Sequence, residues 1–286
     1  MLNPPLSLLS DDLLVSLVEH VAKLPFKDED LYNLSLADRA FTQSCQKYTF
    51  RNLKFSSKKK MSRNIIKAKK MLDENPSFAN QIRMVELLIS GRTSWVFNDH
   101  AFNGVLQLLS KSLMPPHELH LGGHMYYPFM IKDPIIVVRQ LAKSFFSQTL
   151  TILRLTNCVN VPLPLFLVCP RLKEVFLDQV GATEKSYDKY PGDQCSGREA
   201  PLLEVLDCRN SHSFVKQMIT PPPRFNTPVV LWSNLLVLTL TSPNKEGMAC
   251  LQPILDAACN TLEELYLTGT DLGECGCSVF TNTIRI

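Results

Sequence analysis

The chain has 286 residues, is 45% hydrophobic and 20% charged, and carries 30 basic against 27 acidic side chains, a formal charge of +3. That apolar content can build a sizeable core and excludes disorder as the main state. So small a net charge argues against a dedicated nucleic-acid binder. The longest uncharged stretch, Phe225 to Asn244, is half Asn, Thr, Ser and Pro and is no spanning helix. The N-terminus has no Lys or Arg before its short apolar run and turns acidic at once, the reverse of a secretory signal. Nine irregularly spaced cysteines read as reduced thiols, which points to the cytoplasm or nucleus.

Ser10 to Val21 has the spacing of an amphipathic helix, with Leu13, Leu14, Leu17, Val18 and Val21 on its apolar side. Ser10 is placed to cap it, and Asp11 and Asp12 suit the positive end of the helix dipole. Pro25 separates a second helix starting near Asp28 to Asp30, which carries Leu31 and Leu34. A third short helix is expected over Thr42 to Phe50, near Phe41. So small a unit buries little surface and would gain from a partner. From Lys58 to Lys70, seven of 13 residues are basic, with Met61, Ile65, Ala68 and Leu72 at helical spacing. This reads as a linker helix with a solvated face, ended by Pro76.

From residue 82 a pattern recurs: Leu150-x-x-Leu153-x-Leu155, Leu172-x-x-Val175-x-Leu177, Leu203-x-x-Leu206-x-Cys208, Leu235-x-x-Leu238-x-Leu240 and Leu262-x-x-Leu265-x-Leu267. Two weaker units, at Ile82-x-x-Val85-x-Leu87 and Pro116-x-x-Leu119-x-Leu121, make seven. Their spacings are 34, 34, 22, 31, 32 and 27 residues. The x-L-x-L piece is a short strand with leucines on one face. The segments between must return along that face, and Phe102 to Leu109, Ile135 to Phe146 and Met248 to Ala258 look helical. The expectation is an α/β leucine-rich-repeat solenoid, a horseshoe, over residues 81–286. It would be preceded by a helical module at 5–55 and a basic linker at 56–80. The longest insert, Gly181 to Glu199, and the run Pro221 to Pro223 are expected as loops. After the last unit, Gly273 to Ile286 either caps the stack imperfectly or marks a chain cut from a longer parent.

The N-terminal residues resemble a known family. Leu9-Ser10-Asp11-Asp12-Leu13-Leu14-x-x-Leu17-Val18-x-x-Val21 is similar to the opening of an F-box, LPxELLxxIFxxL, with Ser10 in place of the usual proline. Asp30 to Phe41 resembles the later DLxxLSLVCRxF stretch, with Asp38 where cysteine is common. Tyr48 to Leu53 resembles the LYRNL exit of F-box–repeat proteins of mushroom-forming fungi. The resemblance implies a substrate receptor of a Skp–cullin–F-box ubiquitin ligase. Leu9, Leu13, Leu14, Leu17, Val18, Leu31, Leu34 and Phe41 would then dock a Skp-type adaptor, and through it a cullin, or hold the helices together. A plain helical cap over the first repeat is the alternative.

The sheet would recruit a protein substrate on its concave face. Counting along the strands turns Glu86, His120, Arg154, Phe176, Asp207, Thr239 and Tyr266 outward, with Glu174, Asp178, Arg209 and Glu264 beside them. An exposed Phe and Tyr beside Arg fit a protein-binding surface. His117, His120 and His124 do not make a metal site, because 117 and 120 point apart and no cysteine is near. Cys275-Gly276-Cys277 lacks a partner pair. No P-loop, GxGxxG, GxSxG or HExxH is present, and Ser242-Pro243-Asn244-Lys245 matches SxxK without companion motifs. Neither cofactor nor enzyme activity is expected. The runner-up is a repeat scaffold for a protein partner without any ubiquitin connection.

Overall fold

A computed structural model describes residues 10–22, 24, 27–57, 60–90, 95–124, 126–181, 199–220, 228–241, 245–271 and 278–285. Leu9, Lys58, Lys59, the insert after Gly181, Pro221 to Pro223, Ser242 to Asn244, Cys275 and Cys277 lie outside the described residues.

Three helices open the fold: α1 (Asp11–Val21), α2 (Lys27–Ala37) and α3 (Arg39–Thr49). At α1 the carbonyl of Ser10 accepts the N–H groups of Leu13 and Leu14, but its side chain makes no capping bond. At α3 the cap is Asp38, whose carboxylate accepts the Ala40 N–H at 3.0 Å. A carboxylate at that point satisfies a donor that a cysteine would satisfy poorly. Leu14, Val18, Leu31, Phe41 and Cys45 form a small core of their own, separate from the main one.

Among the described residues the main body is one sheet of ten strands. In chain order they are β1 (Asn52–Ser56), β2 (Met84–Leu88), β3 (Glu118–Gly122), β4 (Phe129–Met130), β5 (Ile152–Val159), β6 (Glu174–Gly181), β7 (Val205–Arg209), β8 (Val237–Thr241), β9 (Glu264–Asp271) and β10 (Ser278–Arg285). Neighbours follow chain order, with β4 beside the end of β5. Pairing is parallel from β1 to β9 and antiparallel between β9 and β10. The order never reverses, so the described strands have no switch-point crevice of the kind that holds nucleotides in doubly wound sheets.

One face of the sheet carries Val85, Leu87, Leu119, Leu121, Leu153, Leu155, Val175, Leu177, Leu206, Cys208, Leu238 and Leu240, all buried. Burying each large one contributes about 2 kcal/mol. A one-residue slip would turn that whole set to the open side, so the pattern sets the register. The covering layer includes α4 (Met61–Glu74), α5 (His100–Ser110), α6 (Pro134–Ile136) running into a π-helical segment Val137–Phe146, α7 (Pro164–Leu167), α8 (His212–Ile219) and α9 (Lys245–Ala258). Asn157 and Gln179 interrupt the β5–β6 pairing, which resumes at Cys158 and Val180, and Asn210 directly follows β7; all three have positive φ. Asparagine tolerates that left-handed turn better than most residues.

Two expectations change. Each of the seven leucine units does contain a strand, but the repeat horseshoe is not what the structure contains. It is a single open α/β sheet that starts at β1, inside the stretch assigned to the N-terminal module, and ends on an antiparallel strand. The leucine pattern specifies a strand with one buried face. It says nothing about the return path, and here that path holds a 14-residue helix between β8 and β9 and a four-residue helix between β5 and β6. The second change concerns the basic segment. Met61, Ile65, Ala68 and Leu72 of α4 are buried in the main core, so α4 is part of the covering layer rather than a tether. Its lysines stay in solvent, two of them paired along the helix with Asp73 and Glu74.

Candidate functional site

The parallel register lines up one residue from each strand across the open face. Lys54, Glu86, His120, Arg154, Phe176, Asp207, Thr239 and Tyr266 are successive partners from β1 to β9. All the outward residues named from the sequence therefore share one row, and Lys54 joins them from a strand that was not anticipated. A flanking row holds Thr156, Asp178 and Arg209. The other holds Glu118, Glu174 and Glu264.

The row is not uniform. Glu86 is only 7% exposed. It accepts hydrogen bonds from Lys54 Nζ at 3.0 Å and Asn52 Nδ2 at 3.2 Å, and His120 Nδ1 lies 3.4 Å away. Burial alone would raise its pKa. The bonds from His120, Lys54 and Asn52 and the Lys54 charge outweigh that and hold it at about 2. Glu86 is thus a structural anion at one end of the face. His120 is fixed on its other side by Thr156, with Nε2 2.9 Å from Oγ1.

The centre of the face is Arg154. Its guanidinium carbon stands 3.8 Å from the centroid of the Phe176 ring, and Nε donates to Glu118 Oε1 at 2.6 Å. The stack and the ion pair each contribute about 0.5–1 kcal/mol at a half-exposed site. Together they leave Arg154 little freedom. Next to it, Arg209 makes two bonds to Asp207, at 3.2 and 3.0 Å. The Asp207 carboxylate raises the Arg209 pKa further. Tyr266 donates its hydroxyl to Glu264 at 2.6 Å. Around Arg154 and Arg209 lies an open cavity of about 280 Å³ lined by His120, Arg154, Thr156, Phe176, Asp178 and Arg209 among others. A half-buried aromatic, two oriented arginines and several carboxylates make a surface for polar protein contacts.

The N-terminal trio divides the residues named for it. Leu14, Val18, Leu31 and Phe41 are its core, and Leu34 packs against that core. Leu13 is 57% exposed and Leu17 is 40% exposed. Tyr32 and Leu36 on α2 are also exposed. Each pair is spaced i, i+4, so each helix leaves an apolar stripe outside the core. Tyr32 and Leu36 were not singled out from the sequence. Their signal was a period of four offset from the core positions Leu31 and Leu34.

Other chemistry finds little support. Cys208 and His212 approach at 3.9 Å, but both are buried, and burial pushes the Cys208 thiol up to about 12. A protonated, inaccessible thiol is not a nucleophile. Cys158 is also pushed up to about 12 by burial. Among the described residues no group of three or more His, Cys, Asp or Glu is placed to hold a metal ion. Nor is any described helix long and apolar enough to cross a membrane. No family model, curated protein or solved structure matches the chain.

Proposed function

We propose that the chain is a substrate receptor of a Skp–cullin–F-box ubiquitin ligase, in the cytoplasm or nucleus. The helical trio docks a Skp-type adaptor, and the open face of the sheet holds a protein substrate. The observation that carries this reading is the trio itself: a helical unit with its own core and exposed apolar pairs at Leu13/Leu17 and Tyr32/Leu36. Apolar side chains left outside a core are the usual material of an interface centre. The open face then supplies a second surface around Arg154 and Phe176. A receptor of this kind catalyses nothing. It raises the local concentration of one protein near another, and the described residues offer surfaces for that task.

Co-purification with a Skp-type adaptor tests the reading. The useful variant is Leu13→Asp with Leu17→Asp, because both side chains are outside the core. A change at Leu14, 5% exposed, would unfold the trio and report nothing about docking. The expected result is a complex with the native chain that the double variant loses while keeping its circular dichroism. A native chain that is folded but captures no adaptor would leave an interaction scaffold without a ligase role.

A further inference from the structure

A second cavity, of about 640 Å³, lies where the helical trio meets the start of the sheet. Its lining includes Ser44, Lys47 and Arg51 from the trio side and Gln81, Arg83 and His117 from the sheet side. The backbone register explains why two arginines and a histidine gather. Arg51, Arg83 and His117 are the residues just before β1, β2 and β3. The Arg51 carbonyl accepts the N–H groups of Arg83 and Met84, at 2.8 and 3.1 Å. The Arg83 carbonyl accepts those of His117 and Glu118, at 3.0 and 3.1 Å. Three basic side chains therefore leave adjacent rungs of a parallel ladder, about 4.8 Å apart. Lys47 joins them from the last turn of α3.

Among the described residues the lining holds no carboxylate. Lys47, Arg51 and Arg83 make no ion pair among the described residues. Two acids are engaged with other partners: Glu19 accepts the Tyr48 hydroxyl at 2.9 Å, and Glu118 holds Arg154. Burial above all lowers the His117 pKa; of the surrounding charges Glu118 acts most strongly and favours the proton, while Arg83 and Arg51 oppose it. Lys47, Arg51 and Arg83 line one cavity without an ion-pair partner among the described residues, and an anion bound there would be attracted to all three.

We propose that this cavity binds a small molecule bearing at least two phosphate groups. Its size falls within the range of small-ligand sites, and a single phosphate would engage only part of the lining. The guanidinium fork of Arg51 matches phosphate oxygens, Lys47 adds a point charge, and Arg83 adds its charge from a guanidinium that also donates to the Met114 carbonyl at 2.9 Å. Because the cations come from both units, the ligand would tie the trio to the sheet. The assignment does not depend on adaptor docking.

Titration of the full chain with pyrophosphate at constant ionic strength tests this. The expected result is saturable binding that Lys47→Gln with Arg51→Gln weakens at least about tenfold. Both side chains are exposed, so the variant should fold, as circular dichroism will check. Arg63→Gln with Lys67→Gln removes the same charge from the exposed face of α4 and should leave affinity within about twofold. Absence of saturable binding would overturn the proposal, as would equal weakening by both double variants. A doubly phosphorylated serine peptide that binds more tightly than pyrophosphate would overturn the small-molecule assignment.

Discussion

Replacing Glu86 by glutamine keeps the shape of the side chain and removes its charge. In the folded chain the carboxyl sits at about 2 against an ordinary 4.5. A shift of that size corresponds to about 3 kcal/mol of preference for the charged, folded state. Part of it comes from Lys54, whose side chain is 53% exposed and screened by water, so about 1.5–3 kcal/mol is the expected loss. Urea unfolding at pH 7 measures it directly. The sign with pH follows from the direction of the shift. A carboxyl lowered in the folded state contributes fully above its unfolded pKa, and the contribution fades as pH falls from about 5 toward 2. The native chain should lose this stability across that range, and Glu86→Gln should show a flatter acid limb. Lys54→Met should cost less in the Glu86→Gln background than alone, because the two residues are coupled. If Glu86→Gln were as stable as the native chain at pH 7 with the same acid limb, the polar cluster of Lys54, Glu86 and His120 would not contribute as described.

Two further outcomes follow from the helix ends and the thiols. Asp38→Ala should lower the stability of the trio by about 1 kcal/mol, whereas Ser10→Ala should change it little, since only Asp38 makes a capping bond; helicity against temperature separates them. Among the described cysteines, Cys259 is exposed and Cys45, Cys158, Cys169, Cys208 and Cys250 are buried. A maleimide should label Cys259 well before those five in the folded chain, and peptide mapping will show the order.

Particular residues show how far the chain can be read without coordinates. Leu153 and Leu155, or Val175 and Leu177, announce strands because alternation has a single physical outcome when one face is covered. The same alternation places Arg154 and Phe176 on the open face. It does not foresee that Glu86, in the same row, is covered by Lys54 and His120, because burial there depends on neighbouring side chains. β1 was missed since Leu53-x-Phe55 is too short to stand out before its partner β2 is known. The leucines of α1 show another limit. Leu13 and Leu14 are adjacent, about 100° apart on the helix, and only packing decides which faces inward. The cations before β1 and β2 come together only through strand register, which separations of about 30 residues conceal. The repeat class failed for a related reason, because a pattern that specifies strands leaves their connections open.

Calorimetric titration of the purified chain with a purified Skp-type adaptor tests most directly whether the trio is a docking module. The expected result is a one-to-one complex that Leu13→Asp with Leu17→Asp weakens by about a hundredfold or more, as loss of two interface anchors should. No binding by a folded native chain, or equal binding by the double variant, would contradict it.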